Sequence, residues 1–251
     1  MNNYNTLYLF GGDPDNHFVR QMIEKGLILT SDGDAYPRFR IDTGKHEIFF
    51  EEAPHMSVGG FGWRNNWIRF KRQRISLSKE PFAKAIGLKN LKNNNSIVDL
   101  SCGTGKDSLL LMRFGGRVKA FERNEIIFWL LKYYEYDLKD DLIIDSDAIE
   151  LELGSIKFEG ASFIPDVIYF DPMYGTEVNS KALPRKQIAN FRSFVGIDAD
   201  YIDTLRSAIS LAKDRVVIKR SNKADIIFPN IMTHSFKGKS TRYDVYIRAN
   251  R

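Results

Sequence analysis

The chain has one cysteine, Cys102, in 251 residues. A single thiol closes no internal disulfide, and such sparing use of cysteine fits a reducing compartment. Cys102 reads as a small residue packed beside a glycine-rich turn rather than as a nucleophile. Histidine is also scarce: there are four, and His17, His46 and His55 stand scattered without metal-ligand spacing. No apolar run approaches the roughly twenty residues that a membrane helix needs, and the opening Met1-Asn2-Asn3-Tyr4 is no signal peptide. These absences lead to the expectation of a cytoplasmic protein with no metal and no membrane contact. There is no internal repeat, low-complexity tract or heptad run. Neither sign of charge dominates: 37 Lys and Arg face 32 Asp and Glu, for a formal net charge of +5. That excess is a weak pointer to nucleic acid unless the cations cluster.

With 43% hydrophobic and 27% charged residues the chain reads as globular. It is long enough to bury a sizeable core as one large domain or as a small domain plus a main one. Its centre is Ile97-Val98-Asp99-Leu100-Ser101-Cys102-Gly103-Thr104-Gly105-Lys106-Asp107, answered some seventy residues on by Val167-Ile168-Tyr169-Phe170-Asp171-Pro172-Met173-Tyr174. Each is a short run rich in β-branched and aromatic residues that ends in a carboxylate, as a buried parallel strand reads when its tip lines a site. The glycines let the backbone turn sharply and approach a ligand in the crevice where doubly wound sheets bind cofactors. The loop lacks G-x-x-x-x-G-K-[ST], and Lys106-Asp107 follows Gly103-Thr104-Gly105 where a dinucleotide fingerprint needs x-x-G, so a phosphate cradle is disfavoured. The strand expected at residues 117–121 ends in Glu122, about twenty residues past the first glycine, where a carboxylate can accept from both ribose hydroxyls. An adenosine-like ligand fits. At Asp171-Pro172-Met173-Tyr174 a carboxylate, a carbonyl stiffened by proline and an aromatic face can hold a planar base by its exocyclic amine.

The order D-x-x-x-G-x-G, acidic end of the next strand, then D-P-M-Y resembles the class I methyltransferases that use S-adenosylmethionine and modify a nucleobase amino group. With Phe191-Arg192-Ser193-Phe194-Val195-Gly196, Asp198-Ala199-Asp200, Arg215-Val216-Val217-Ile218-Lys219-Arg220 and residues 238–246, the likeness narrows to the bacterial family of small-subunit (16S) ribosomal RNA guanine-N2 methyltransferases, over residues 57–246. The resemblance implies a Rossmann-like α/β fold, a mostly parallel seven-stranded sheet with an antiparallel C-terminal hairpin, and methylation of a guanine amine in ribosomal RNA, free or in the small ribosomal subunit. It places cofactor contacts at Lys106, Asp107, Glu122, Arg123, Ser146, Asp147 and Asp171. Asp99, Gly103 and Gly105 are expected to shape the methionine pocket, and Asp171, Pro172 and Tyr174 to hold the base. The chain departs from the family in having Lys106 where arginine is usual and Tyr174-Gly175 where Phe-Pro is usual. The stretch from Phe70 to Lys79 is also longer than the family's glycine-rich equivalent. Two rivals stay open: an adenine or cytosine amino-methyltransferase, and a non-catalytic RNA-binding protein on a methyltransferase scaffold.

Three segments are expected. Residues 1–56 read as a small α+β domain: a strand at 7–10, an amphipathic helix from about Asn16 stopped by Gly26, and a hairpin of 38–41 with 46–51. Residues 57–95 form a connecting, cofactor-covering segment. In it Trp63, Trp67 and Phe70 interleave with cations including Arg64, Arg69, Lys71 and Arg72, a pairing suited to RNA or to a helix with buried rings and solvated charges. Residues 96–251 form the methyltransferase domain, with further strands at 141–144 and 215–220, a helix at 199–213, and a terminal pair near 231–234 and 243–247. Lys181, Arg185, Lys186 and Arg192 in the loop after Tyr174, and Lys239 and Arg242 in the last turn, are candidate phosphate contacts.

Overall fold

The computed structural model describes residues 6–10, 17–31, 38–42, 47–51, 80–87, 95–140, 148–160, 163–174 and 195–248. These fall into two compact units. In the first, β1 (Thr6–Phe10) pairs parallel with β2 (Ile28–Ser31) and antiparallel with β3 (Arg38–Asp42). That strand in turn pairs antiparallel with β4 (Glu47–Glu51), giving the order β2-β1-β3-β4. Helix α1 (His17–Glu24) links β1 to β2, buries Val19 and Met22, and stops at Gly26, whose φ is 66°. Strand β2 is an addition to the elements expected from the sequence. The domain expected to end at residue 56 sits in a unit that also takes in a later helix, Glu125–Asp140. Between these two helices the rings of Phe18 and Trp129 lie tilted with centroids 6.5 Å apart, and Lys25 pairs with Glu125 at 3.1 Å.

The second unit holds the large sheet. Helix α2 (Pro81–Ile86) opens it with proline at its first position and closes on Gly87 at φ 79°. Strand β5 (Ser96–Asp99), helix α3 (Lys106–Arg113) and strand β6 (Arg117–Glu122) follow. The chain returns through β7 (Ile149–Leu153) to β8 (Val167–Phe170), helix α5 (Tyr201–Leu211), β9 (Arg215–Ser221), β10 (His234–Lys237) and β11 (Thr241–Ile247), the Glu125–Asp140 helix being α4. The order is β10-β11-β9-β8-β5-β6-β7, parallel throughout except at β11, which runs against both its neighbours. This is the expected mostly parallel sheet with its antiparallel terminal hairpin. Its central strand β8, buried on both faces, is an unbroken apolar run whose four residues are at most 1% exposed.

The strand beside β6 differs from expectation. Residues 141–147, with the apolar run read as that strand, lie outside the described residues; the observed strand is Ile149–Leu153. It alternates Ile149 and Leu151, buried, with Glu150 and Glu152, the pattern of an edge strand wet on one face.

Strand order reverses between β5 and β8, because the chain builds outward through β6 and β7 and then returns to the other side of β5. The crevice past the carboxyl ends of these two strands is where open α/β sheets bind ligands.

Candidate active site

Register decides which side chains meet there. Asp99 pairs with Tyr169, Phe170 with Ile218, and Lys219 with Tyr243. Because strand side chains alternate faces and paired residues share one, Asp99, Tyr169, Asp171, Lys219 and Tyr243 lie on one face. Phe82 of α2 packs beneath them, 4.8 Å from the Tyr169 ring and 5.1 Å from that of Tyr243.

Asp99 is fully buried and bonds to the loop that follows it. One oxygen accepts from the Ser101 N–H at 3.0 Å and the other from the Ser108 hydroxyl at 2.5 Å. Ser101 in turn reaches the other strand tip, its hydroxyl oxygen accepting from the Asp171 N–H at 2.7 Å. The turn is tied from the far side as well: the Gly103 N–H donates to Glu122 Oε2 at 2.8 Å, and the Cys102 N–H to the Phe121 carbonyl at 2.9 Å. Gly103 and Gly105 hold φ of 54° and 72°, left-handed values that favour glycine. Cys102 is buried and burial pushes its thiol well up, so it packs rather than reacts.

Asp107, in the first turn of α3, accepts from the Tyr169 hydroxyl at 2.6 Å and from Lys219 Nζ at 3.0 Å. The same ammonium reaches Asp171 Oδ2 at 2.7 Å. Burial alone would raise the Asp107 carboxyl, but the Lys219 ammonium and the Tyr169 hydroxyl hold it below its usual range. Lys219 is raised despite its own burial, by Asp171 and then Asp107. Burial pushes Tyr243 beside it up to about 12. One lysine thus joins the first turn of α3 to the loop after β8. In the sequence Lys219 shows only as part of a strand; the signal for its role is a lysine interrupting an apolar run at a strand's carboxyl end.

The other expected residues divide. Pro172 is buried and Lys106 exposed. The Tyr174 hydroxyl donates to the Lys219 carbonyl at 2.7 Å, with the Arg220 guanidinium 4.3 Å from its ring centroid and Tyr201 at its edge. Arg123 pairs with Asp198 at 3.0 Å and Asp200 at 3.3 Å. Arg242 corrects the expectation of an RNA contact: it is 4% exposed, bonded to both oxygens of Asp244 and to the Ser221 and Asp225 carbonyls, and so is a buried brace. Lys239 is exposed in the turn before β11. Ser146, Asp147, Arg64, Arg69, Lys71, Arg72, Lys181, Arg185, Lys186 and Arg192 lie outside the described residues. No group of three or more metal-ligating side chains occurs among the described residues, and no described helix is long and apolar enough to cross a membrane.

Burial raises the Asp99 carboxyl from 3.8 to about 7, against the lowering bonds from Ser108 and Ser101 and with Asp107 and Asp171 adding to the rise. Between those values the folded chain keeps a proton that the unfolded chain has released. The stability this group contributes is therefore complete below about pH 4 and is lost as pH rises to about 7. Asp99→Asn keeps both bonds, since the Ser108 hydroxyl can accept as well as donate. Its melting temperature relative to the unmodified protein is expected to rise between about pH 4 and pH 7 and then level off. A difference that stays constant across that range in thermal denaturation would refute the assignment.

Residues 47–248 match a family described as "Putative SAM-dependent methyltransferase". Ribosomal RNA small subunit methyltransferase J of Idiomarina loihiensis is 34% identical over 96% of this chain and 94% of its own length. The protein of the same name from Thioalkalivibrio sulfidiphilus is 37% identical over 71% of each chain. Among solved structures, a SAM-dependent methyltransferase from Neisseria gonorrhoeae shares the fold, with a TM-score of 0.60 at 22% identity, covering 96% of this chain and 95% of its own.

Proposed function

Because the chain belongs to the S-adenosylmethionine-dependent methyltransferase family, among the relatives of ribosomal RNA small subunit methyltransferase J, we propose that it methylates the exocyclic amine of a guanine in small-subunit ribosomal RNA, in the cytoplasm. The observation that carries this reading is the alignment of Asp99 and Asp171 at adjoining strand tips, linked through Ser101.

The residues present suit the cofactor. Above the turn at Gly103 an added Cβ would meet only the Ser101 carbonyl oxygen, at 3.8 Å, so the loop leaves room for a ligand. Asp107 and Asp171 share one ammonium, Lys219, and Glu122 stands at the neighbouring strand tip, bonded to the Gly103 N–H, so carboxylates outnumber cations among these groups, surroundings that favour a cation. Glu122 would hold the ribose, Gly103 and Gly105 would line the methionine pocket with Asp99 beneath them, and Lys106 and Asp107 would stand near the methionine end. Ser146 and Asp147 are proposed at the adenine. When bound, S-adenosylmethionine supplies an electrophilic methyl on a sulfonium whose departing thioether is neutral.

What the protein adds is orientation. A guanine amine is a poor nucleophile because its lone pair is delocalised into the ring. Two acceptors, the Asp171 carboxylate and the Pro172 carbonyl, would draw its N–H groups and favour the pyramidal form in which the pair is available. Asp171 would serve as the base that receives the proton released as the new N–C bond forms. Tyr174, braced by Arg220 and Tyr201, would wall the base pocket.

The test is incubation with labelled S-adenosylmethionine and small subunits, deproteinised ribosomal RNA or DNA, followed by nucleoside mass spectrometry. N2-methylguanosine is the expected product; N6-methyladenine or N4-methylcytosine would replace the reading with its rival, and failure to bind S-adenosylmethionine in calorimetry would favour a non-catalytic RNA binder. Lys239 and the cations of residues 64–74 and 181–192 are proposed to grip phosphates. With about three such contacts, raising salt from about 50 to about 200 mM is expected to weaken RNA binding on the order of twenty-fold. A flat response would remove phosphate gripping from the account.

A further inference from the structure

The acceptor segment is pinned at two points. The Asp171 N–H donates to Ser101 Oγ, Pro172 has no N–H, and the next backbone donor, at Met173, goes to Asp198 Oδ2 at 2.6 Å. The Asp198 N–H returns a bond to the Met173 carbonyl at 3.0 Å, so both backbone polar groups of Met173 are held by one residue. Asp198 is 9% exposed, and its second oxygen meets the Arg123 guanidinium at 3.0 Å. Arg123 directly follows Glu122 at the end of β6, two strands from β8. A short charge-assisted bond to a nearly buried carboxylate gives this second anchor directional rigidity.

We propose that Asp198 is the positioning residue of the acceptor segment and that the Arg123 guanidinium acts by holding Asp198. This rests on the reading that Asp171 and Pro172 hold the amine. Arg123→Met removes the guanidinium while leaving the Met173 bonds to be made. Asp198→Asn keeps an oxygen for the Met173 N–H but loses the charge that pairs with Arg123.

In the full-length protein both variants are expected to bind S-adenosylmethionine within about threefold of the unmodified chain. Turnover with small-subunit RNA should fall about ten- to a hundredfold, since a misplacement of roughly 1 Å can cost that much. Arg123→Lys should recover most of the loss. Hydrogen exchange at the Met173 amide should quicken in both variants. The proposal is overturned if Arg123→Met weakens cofactor binding tenfold or more with turnover unchanged, or if exchange at Met173 is unaltered in both variants. The exchange measurement needs no substrate, so it decides the anchor even if the methylated base proves to be another.

Discussion

Asp171→Ala is expected to lower methyl transfer by about three orders of magnitude, with affinity for S-adenosylmethionine kept within about tenfold. The size of the expected loss reflects the two roles proposed for this carboxylate, an acceptor that orients the amine and a base for its proton. The fold should tolerate the change. Lys219 keeps Asp107 as a partner at 3.0 Å, so no cation is orphaned, and the Asp171 backbone N–H still reaches Ser101. Asp171→Asn retains one acceptor oxygen without the charge and should fall between the two. Single-turnover kinetics on the RNA substrate provide the measurement; an alanine variant within about tenfold of the unmodified rate would end the case for Asp171 as the amine's acceptor.

Lys219→Met has the second largest expected effect, and it acts by a different route. The ammonium lies 3.0 Å from Asp107 and 2.7 Å from Asp171, and its removal leaves two carboxylates facing one another without a cation between them. Asp107 keeps the Tyr169 hydroxyl, whereas Asp171 loses the contact that orients Oδ2. Turnover is expected to drop about a hundredfold. Breaking a buried pair costs about 3–5 kcal/mol, and a smaller loss of about 2 kcal/mol is expected here because the Lys219 and Asp171 side chains are 24% and 35% exposed. Lys219→Arg should restore part of both, since a guanidinium can bond two carboxylates at once. Unchanged turnover and melting temperature in the methionine variant would show that the bridge carries neither role.

Much of this site is legible in the chain because its parts are local. A β-branched run ending in Asp99, a turn that needs glycine at positions 103 and 105, and a run ending in Asp171-Pro172 each state their structure within a dozen residues. The same holds for the cap of α4, where the Asn124 side chain accepts from the Ile127 N–H at 3.1 Å. What escaped the reading depended on partners far along the chain. Lys219 sits between Ile218 and Arg220 and looks like the frayed end of a basic strand; only the pairing of Phe170 with Ile218 brings it beside Asp171, 48 residues away. Arg123 looks like a cation for the cofactor, yet it finds its carboxylate through folding, at Asp198. Arg242 has its carboxylate two residues away, at Asp244, but its burial and its bonds to the Ser221 and Asp225 carbonyls come from folding. The strand Ile149–Leu153 was passed over for a more continuously apolar run because an edge strand, half wet, carries the weaker hydrophobic signal.

By itself, then, the sequence determined the class of fold, the crevice at the strand tips and the two carboxylates that frame it, because strand period, turn chemistry and backbone conformation are set by neighbouring residues. Tertiary structure alone decided which cations serve those carboxylates. Pairing register and burial choose the partner of a charged side chain, and both are properties of strands brought together from distant parts of the chain.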